Sequence, residues 1–263
     1  MNVQQVEDQI PKLPQPRGIY LLPNLFTTAA LFAGFYSIIA SVKGNFDIAA
    51  IAIFIAMIAD TLDGRVARMT NTQTAFGAEY DSLSDMVGFG VAPALMAYMW
   101  SLSNLGKLGW LAAFLYTAAT ALRLARFNTQ AHDQDKQYFQ GLPCPSAAAV
   151  VTGAVWLGYS NQVVDGTNLY IGVPFAMLVI FIAALQVSTI RYHSFKKIDL
   201  RGKVPFIMVI ILVLIISLIA LDPPEILFAG FFIFAMSGPV MTLWQLRRMR
   251  KLSRSLRKKD KAA

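Results

Sequence analysis

Charge is scarce in this chain. Asp, Glu, Lys and Arg together make up 14% of its 263 residues, while apolar residues reach 56%. An average soluble domain is about one-quarter charged. A water-soluble fold of this size would run short of polar groups to cover its surface, so that class is excluded. Cysteine is nearly absent: the lone Cys144 rules out an internal disulfide framework. Histidine is limited to His132 and His193, both expected in solvated loops. No secretory signal is visible, because the first sixteen residues hold Glu7, Asp8 and three prolines without an apolar run. What remains is an all-α integral membrane protein, a polytopic helical bundle.

Eight apolar stretches approach the ~20 helical residues that a hydrocarbon core requires. They lie at about 23–43, 46–69, 77–101, 106–128, 145–160, 168–190, 204–221 and 225–246. The fifth is short, which leaves six or seven crossings open. Residues 1–16 read as a polar N-terminal tail, 17–246 as one transmembrane domain and 247–263 as a basic tail. Pro23 fits a first helical turn. Pro174 and Pro239 fall inside spans, where kinks are expected. The segment from Arg17 to Leu22 is amphipathic and suits the membrane interface.

The net charge of +8 is distributed unevenly. With both termini cytoplasmic, 21 of the 23 Lys and Arg residues fall on the inner side, and only Lys43 and Lys107 lie outside. The positive-inside rule favours that arrangement, which predicts a multi-pass protein of the cytoplasmic membrane. Nine basic residues and one acid lie between Arg247 and Lys261. They serve topological retention as a solvated tail, or attraction to anionic lipid headgroups at about 1 kcal/mol per charge. No aromatic or glycine-rich reader accompanies them, so nucleic acid is not an expected partner.

Ionisable residues within spans are expensive and tend to be functional. Five of the fifteen acids fall between Asp60 and Asp85: Asp60, Asp63, Glu79, Asp81 and Asp85. Asp60 and Asp63 share one helical face at i,i+3, and Asp81 and Asp85 another at i,i+4. The polar turn from Met69 to Thr74 folds the two helices into an antiparallel hairpin, with Asp60 and Asp85 each roughly 13 Å from the turn. Four aspartates at one depth cannot all ionise uncompensated, and Arg65 and Arg68 supply only two positive charges. Divalent cations are the better match. Hard oxygen ligands select Mg²⁺ or Mn²⁺ over zinc, and a carboxylate-bridged pair of metals suits phosphoryl transfer. Gly64, Ala67 and Gly77 beside the acids let backbone approach a bulky ligand.

The run Asp60-x2-Asp63-Gly64-x2-Ala67-Arg68-x8-Gly77-x3-Asp81-x3-Asp85 resembles the signature of the CDP-alcohol phosphotransferase family at each fixed position. The resemblance implies a helical membrane enzyme that cleaves a CDP-linked alcohol, releases CMP and joins the phosphoryl-alcohol to an acceptor hydroxyl. It implies two divalent ions on the four aspartates, Asp85 also serving as base, and a homodimer. Longer segments are similar to the family's CDP-diacylglycerol–serine branch. They are Leu22–Thr28, Phe76–Asp85 running on through Gly88–Ala94, Arg123–Asn128 and Gly141–Pro145. Ala30 stands where relatives often have Asn, and Cys144 where Ser is common.

That branch implies CDP-diacylglycerol as donor and L-serine as acceptor, with the active site facing the cytoplasm. Asn24, Thr27, Gly64, Ala67, Arg68 and Gly77 are the expected nucleotide and diphosphate residues. Arg123 and Arg126 offer guanidinium forks for the serine carboxylate, while Asn128 suits its ammonium; Pro143 and Cys144 complete the expected acceptor site. Covalent catalysis by Cys144 is not expected, since the metal-and-base motif already provides a mechanism. Another acceptor (glycerol phosphate, inositol phosphate or choline) is the alternative within the family. An intramembrane prenyltransferase or a transporter is the alternative outside it.

Overall fold

The computed structural model describes residues 21–70, 72, 74–130, 138–163, 169–193 and 206–260. The expected polar tail, most of the amphipathic segment from Arg17, and His132 lie outside the described residues. Helix α1 (Leu21–Val42) turns into α2 (Phe46–Met69), and α3 (Ala75–Asp85) follows. A π-helical segment (Met86–Val91) then runs without a break into α4 (Ala92–Trp100). After a 3₁₀ turn (Leu102–Leu105) come α5 (Lys107–Gln130), β1 (Tyr138–Gln140), α6 (Cys144–Ser160) and α7 (Leu169–Val187). The chain continues through β2 (Arg191–His193), α8 (Phe206–Leu221) and α9 (Pro223–Asp260). Each of the eight expected spans thus corresponds to one helix, or to one run of joined helices.

The all-α expectation holds, apart from one short ribbon. Strands β1 and β2 pair antiparallel, Tyr138 opposite His193 and Gln140 opposite Arg191. Helix α9 also extends further than its expected span. Its backbone stays helical from Pro223 to Asp260, so most of the basic tail prolongs the last span as helix.

Among the described residues, four helices are long and apolar enough to cross a membrane: Leu22–Val42, Lys107–Thr129, Leu169–Val187 and Pro223–Thr242. Helix α2 carries Asp47, Asp60, Asp63, Arg65 and Arg68, while α6 and α8 have 17 and 16 residues. The packing is that of a polytopic membrane protein. Small residues are buried, as Ala49, Ala52, Ala56 and Ala59 are in α2, while Ile48, Ile51, Ile55 and Ile58 of the same helix face outward. Small residues let helix backbones approach closely where lipid replaces water. Gly34 is the clearest case, since a Cβ there would lie 2.7 Å from the Cα of Gly88. That contact seats α1 on the π-helical segment.

Two tyrosines compensate for prolines inside helices. Pro93 has no N–H to offer the Phe89 carbonyl four residues upstream. The buried Tyr116 of α5 donates its hydroxyl to that carbonyl instead, at 3.0 Å. Pro239 in α9 leaves the Ala235 carbonyl in the same position, and the Tyr192 hydroxyl of β2 donates to it at 2.9 Å. An unmet carbonyl is especially costly in a lipid-surrounded bundle, where no water can take its place. Each tyrosine therefore serves both as a substitute donor and as a tertiary strut.

Tyr116→Phe removes one hydroxyl and strands a buried carbonyl, a change worth about 1–3 kcal/mol. A lower thermal unfolding temperature of the purified variant in detergent is the expected outcome. An unchanged unfolding temperature would show that the Phe89 carbonyl finds another donor.

Candidate active site

The threonine-rich turn sets the register of the acidic hairpin. Thr70 ends α2, its hydroxyl donating to the Val66 carbonyl at 2.8 Å and its N–H to the same oxygen at 2.9 Å. Thr74 caps α3, its side-chain oxygen accepting the Gly77 N–H at 3.0 Å. Both are ordinary capping chemistry, and together they bring the two acid pairs face to face.

Carboxylate oxygens of Asp60, Asp63 and Asp81 all lie within 4.8 Å of one another. Asp85 follows Asp81 by one turn and is in side-chain contact with Asp60. The four aspartates of the two helices thus gather in one cluster, Asp60 touching both Asp85 and the Asp63–Asp81 pair. The donor set is all carboxylate, with no imidazole or thiolate, and suits a hard divalent cation.

Helix α1 closes the third side. Thr27 donates its hydroxyl to Asp63 Oδ2 at 2.8 Å, while Ser84 donates to the Thr27 carbonyl at 3.1 Å. The hydroxyls of Thr28 and Tyr80 lie 2.9 Å apart. A threonine on α1 thus orients an aspartate on α2, and α1 is pinned to α3 on either side of that bond.

Beside the carboxylates lies a cleft of about 360 Å³. Asn24, Thr27, Gly64, Ala67, Arg68 and Gly77, the six residues expected to bind nucleotide, all line it together with Asp63 and Asp81. The glycines keep it open. A Cβ on Gly77 would lie 3.1 Å from Thr74 Oγ1 and 3.5 Å from Asn24 Oδ1, and one on Gly64 would lie 3.9 Å from the Arg68 guanidinium. Thr72, Thr74 and Phe127 also line the cleft, and the sequence reading did not single them out as site residues. The Phe127 signal was its place between Arg126 and Asn128. Ala30, where relatives often carry Asn, is buried.

The residues expected to hold the acceptor divide between two places. Arg123 donates through Nη1 to the buried Cys144 Sγ at 3.1 Å, and Arg126 donates to the Val187 carbonyl at 3.0 Å. Asn128 turns instead to α3, with its Nδ2 3.1 Å from Ser82 Oγ and 3.5 Å from Glu79 Oε2. Pro143 is half-buried at the start of α6. Cys144 lies within electrostatic reach of Arg123, Asp85 and Asp60, so this cluster borders the acidic one. Sequence reasoning missed Gln186, which is fully buried and accepts the Thr120 hydroxyl at 3.0 Å. A lone polar residue near the end of an apolar span was the available signal.

A membrane-embedded helical bundle with a carboxylate-lined cleft at one hairpin defines the class. The model of the CDP-alcohol phosphatidyltransferase family matches residues 20–178, from the start of α1 into α7, and the chain belongs to that family. Among its relatives, a Helicobacter pylori protein named CDP-diacylglycerol–serine O-phosphatidyltransferase is 39% identical over 209 residues, covering 80% of this chain and 85% of its own. A Methanocaldococcus jannaschii protein of the same name is 37% identical over 145 residues, covering 55% of this chain and 63% of its own. The archaetidylserine synthase of Methanothermobacter thermautotrophicus is 32% identical over 173 residues, covering 65% of this chain and 69% of its own.

Proposed function

We propose that this protein transfers the phosphatidyl group of CDP-diacylglycerol to the hydroxyl of L-serine, giving phosphatidylserine and CMP. The observation that carries the reading is the convergence of Asn24, Thr27, Gly64, Ala67, Arg68 and Gly77 on one cleft beside Asp63 and Asp81. The serine-transferring names of its relatives support the choice of donor and acceptor.

In this reading the chain makes eight crossings as one domain, residues 17–246, between an N-terminal tail at 1–16 and a basic segment at 247–263. Both termini and the active site face the cytoplasm, the cytoplasmic membrane is its location and a homodimer is its assembly. The basic residues beyond Arg247 lie against anionic headgroups. Such a topology keeps the cytidine in water and leaves the acyl chains of the donor in lipid.

Arg68 contacts the donor diphosphate, where a guanidinium pairs two oxygens at once. Asn24 and the open backbone at Gly64 and Gly77 receive the nucleotide. Asp60, Asp63, Asp81 and Asp85 would hold two divalent ions, Mg²⁺ or Mn²⁺, whose charge stabilises CMP as the leaving group. Thr27 keeps Asp63 oriented. Arg123 and Arg126 draw in the serine carboxylate, Asn128 its ammonium, and Pro143 and Cys144 shape the wall. Asp85 takes the proton from the serine hydroxyl as that oxygen attacks phosphorus, aided more by placement than by basicity.

An assay of purified protein with CDP-diacylglycerol and a panel of acceptors, following CMP and lipid product, tests chemistry and acceptor together. Serine-dependent CMP release is the expected result; release only with glycerol phosphate, inositol phosphate or choline would reassign the acceptor. Chelation should abolish turnover, and added Mg²⁺ or Mn²⁺ should restore it. Full activity in excess chelator would remove the metal assignment.

Asp85→Asn is nearly isosteric but a far weaker base and a poorer ligand. Its rate should fall by at least 10²–10⁴-fold, the range for general-base loss alone. Arg123→Ala should instead raise the KM for serine, by the roughly 1.5–3 kcal/mol of a charged hydrogen bond, with the KM for CDP-diacylglycerol little changed. The opposite KM pattern would place Arg123 on the donor side.

A further inference from the structure

We infer that Gln186 recognises the acceptor: its side-chain amide, together with Nε of Arg123, binds the acceptor's carboxylate. The inference rests on the transferase reading above and adds a residue to the acceptor side of that site.

Gln186 occupies the last turn of α7 and is fully buried. The Thr120 hydroxyl donates to its Oε1 at 3.0 Å, which fixes the amide and points its NH₂ group elsewhere. That Nε2 is buried and has no acceptor among the described residues. Arg123 follows Thr120 by three residues on α5 and so shares its face. Its Nη1 is engaged by Cys144, yet its Nε is likewise buried without an acceptor among the described residues.

The two unmet donors border the same loop. The Leu142 N–H donates to the Leu185 carbonyl at 3.0 Å, and the Gly141 N–H to that of Ile190 at 2.9 Å. Gly141 has φ +76°, and a Cβ there would collide with the Gln186 carbonyl oxygen, so the loop lies directly on the end of α7. Three residues further on, Cys144 binds Arg123 and lies within electrostatic reach of Asp85 and Asp60. One small region therefore holds a buried amide donor and a buried cationic donor, both unmatched, beside the proposed base.

Buried donors without acceptors are rare and costly, above all where no water can reach them. Two of them around one loop suit acceptor atoms that a bound ligand brings. A carboxylate offers two oxygens and a negative charge, matching an amide N–H and a guanidinium N–H together. An α-amino acid carries its hydroxyl close enough to its carboxylate for the one to face Asp85 while the other meets Gln186 and Arg123. An amino alcohol without the carboxylate would leave both donors unmatched.

The test compares full-length wild type, Gln186→Met and Gln186→Glu in detergent–lipid micelles. KM is measured for L-serine and for CDP-diacylglycerol, together with the rise in unfolding temperature that saturating L-serine produces. Methionine keeps the length of the side chain and removes the donor. It should raise the serine KM roughly ten- to a hundredfold, leave the donor KM within about twofold of wild type, and abolish the serine-induced stabilisation. Glutamate keeps an acceptor for Thr120 but opposes a carboxylate, and should weaken serine at least as much. Should the Gln186 variants fail to fold, Thr120→Val, which only frees the amide, should still raise the serine KM severalfold. Wild-type serine KM and stabilisation in whichever of these variants fold would overturn the inference, and so would an equal rise in both KM values. If the wild type releases no CMP with serine, the transferase reading itself has failed; normal wild-type turnover with unaffected variants removes Gln186 alone.

Discussion

Four carboxylates gathered inside a lipid-surrounded bundle repel one another and are poorly solvated, yet they must be held within a few ångströms. The fold meets that constraint mainly through its first three helices. Thr70 and Thr74 set the hairpin so that Asp60 and Asp63 confront Asp81 and Asp85. Helix α1 then lies across both, with the Thr27 hydroxyl on Asp63 and the Ser84 hydroxyl on the Thr27 carbonyl. Small residues make the approach close enough. Gly34 of α1 would clash with Gly88 if it carried a Cβ, and the alanine face of α2 is buried while Ile48, Ile51, Ile55 and Ile58 face outward.

The π-helical segment follows Asp85 directly, and its position has a structural consequence. A π-turn adds a residue to the helical repeat and so rotates the faces on its two sides relative to each other. Before it, α3 directs Asp81 and Asp85 toward α2. Within it, Gly88, Phe89 and Gly90 are buried instead. Pro93 then costs a hydrogen bond, and the Tyr116 hydroxyl restores it from α5. Tyr116 therefore connects the acidic hairpin to the same helix that carries Thr120, Arg123 and Arg126. Tyr192 makes the equivalent connection at the other proline, tying the ribbon that follows α7 to α9.

Much of this was legible in the sequence, because membrane spans and fixed-spacing motifs are local signals. The eight apolar stretches became helices with similar boundaries, and the six residues expected around the nucleotide line one cleft. Several features were not legible. The β ribbon depends on strands of three residues each, and the helical continuation of α9 on a charged segment without apolar periodicity. That Asn128 bonds to Ser82 and Glu79 on α3 is a contact its place in the chain beside Arg126 does not reveal. Gln186 lies far from every motif residue in sequence. Its neighbours Thr120 and Gly141 become visible only once α5, α7 and the loop before α6 have packed.

The site thus divides along the fold. Helices α1, α2 and α3, with Phe127 of α5, form the cleft and carry Arg68 and Asn24, so the proposed donor side comes mainly from one stretch of chain. The proposed acceptor side is assembled from α5, the 141–144 loop and the end of α7, segments brought together only by tertiary structure. Asp85 lies where the two meet, in contact with Asp60 and within electrostatic reach of Cys144. The proposed donor and acceptor sides touch around Asp85 and through the bonds from Asn128 to Ser82 and Glu79 on α3. In the proposed reading the family's motif belongs mainly to the donor side, and the residues that would choose the acceptor, Gln186 and Arg123 among them, meet only through tertiary contacts.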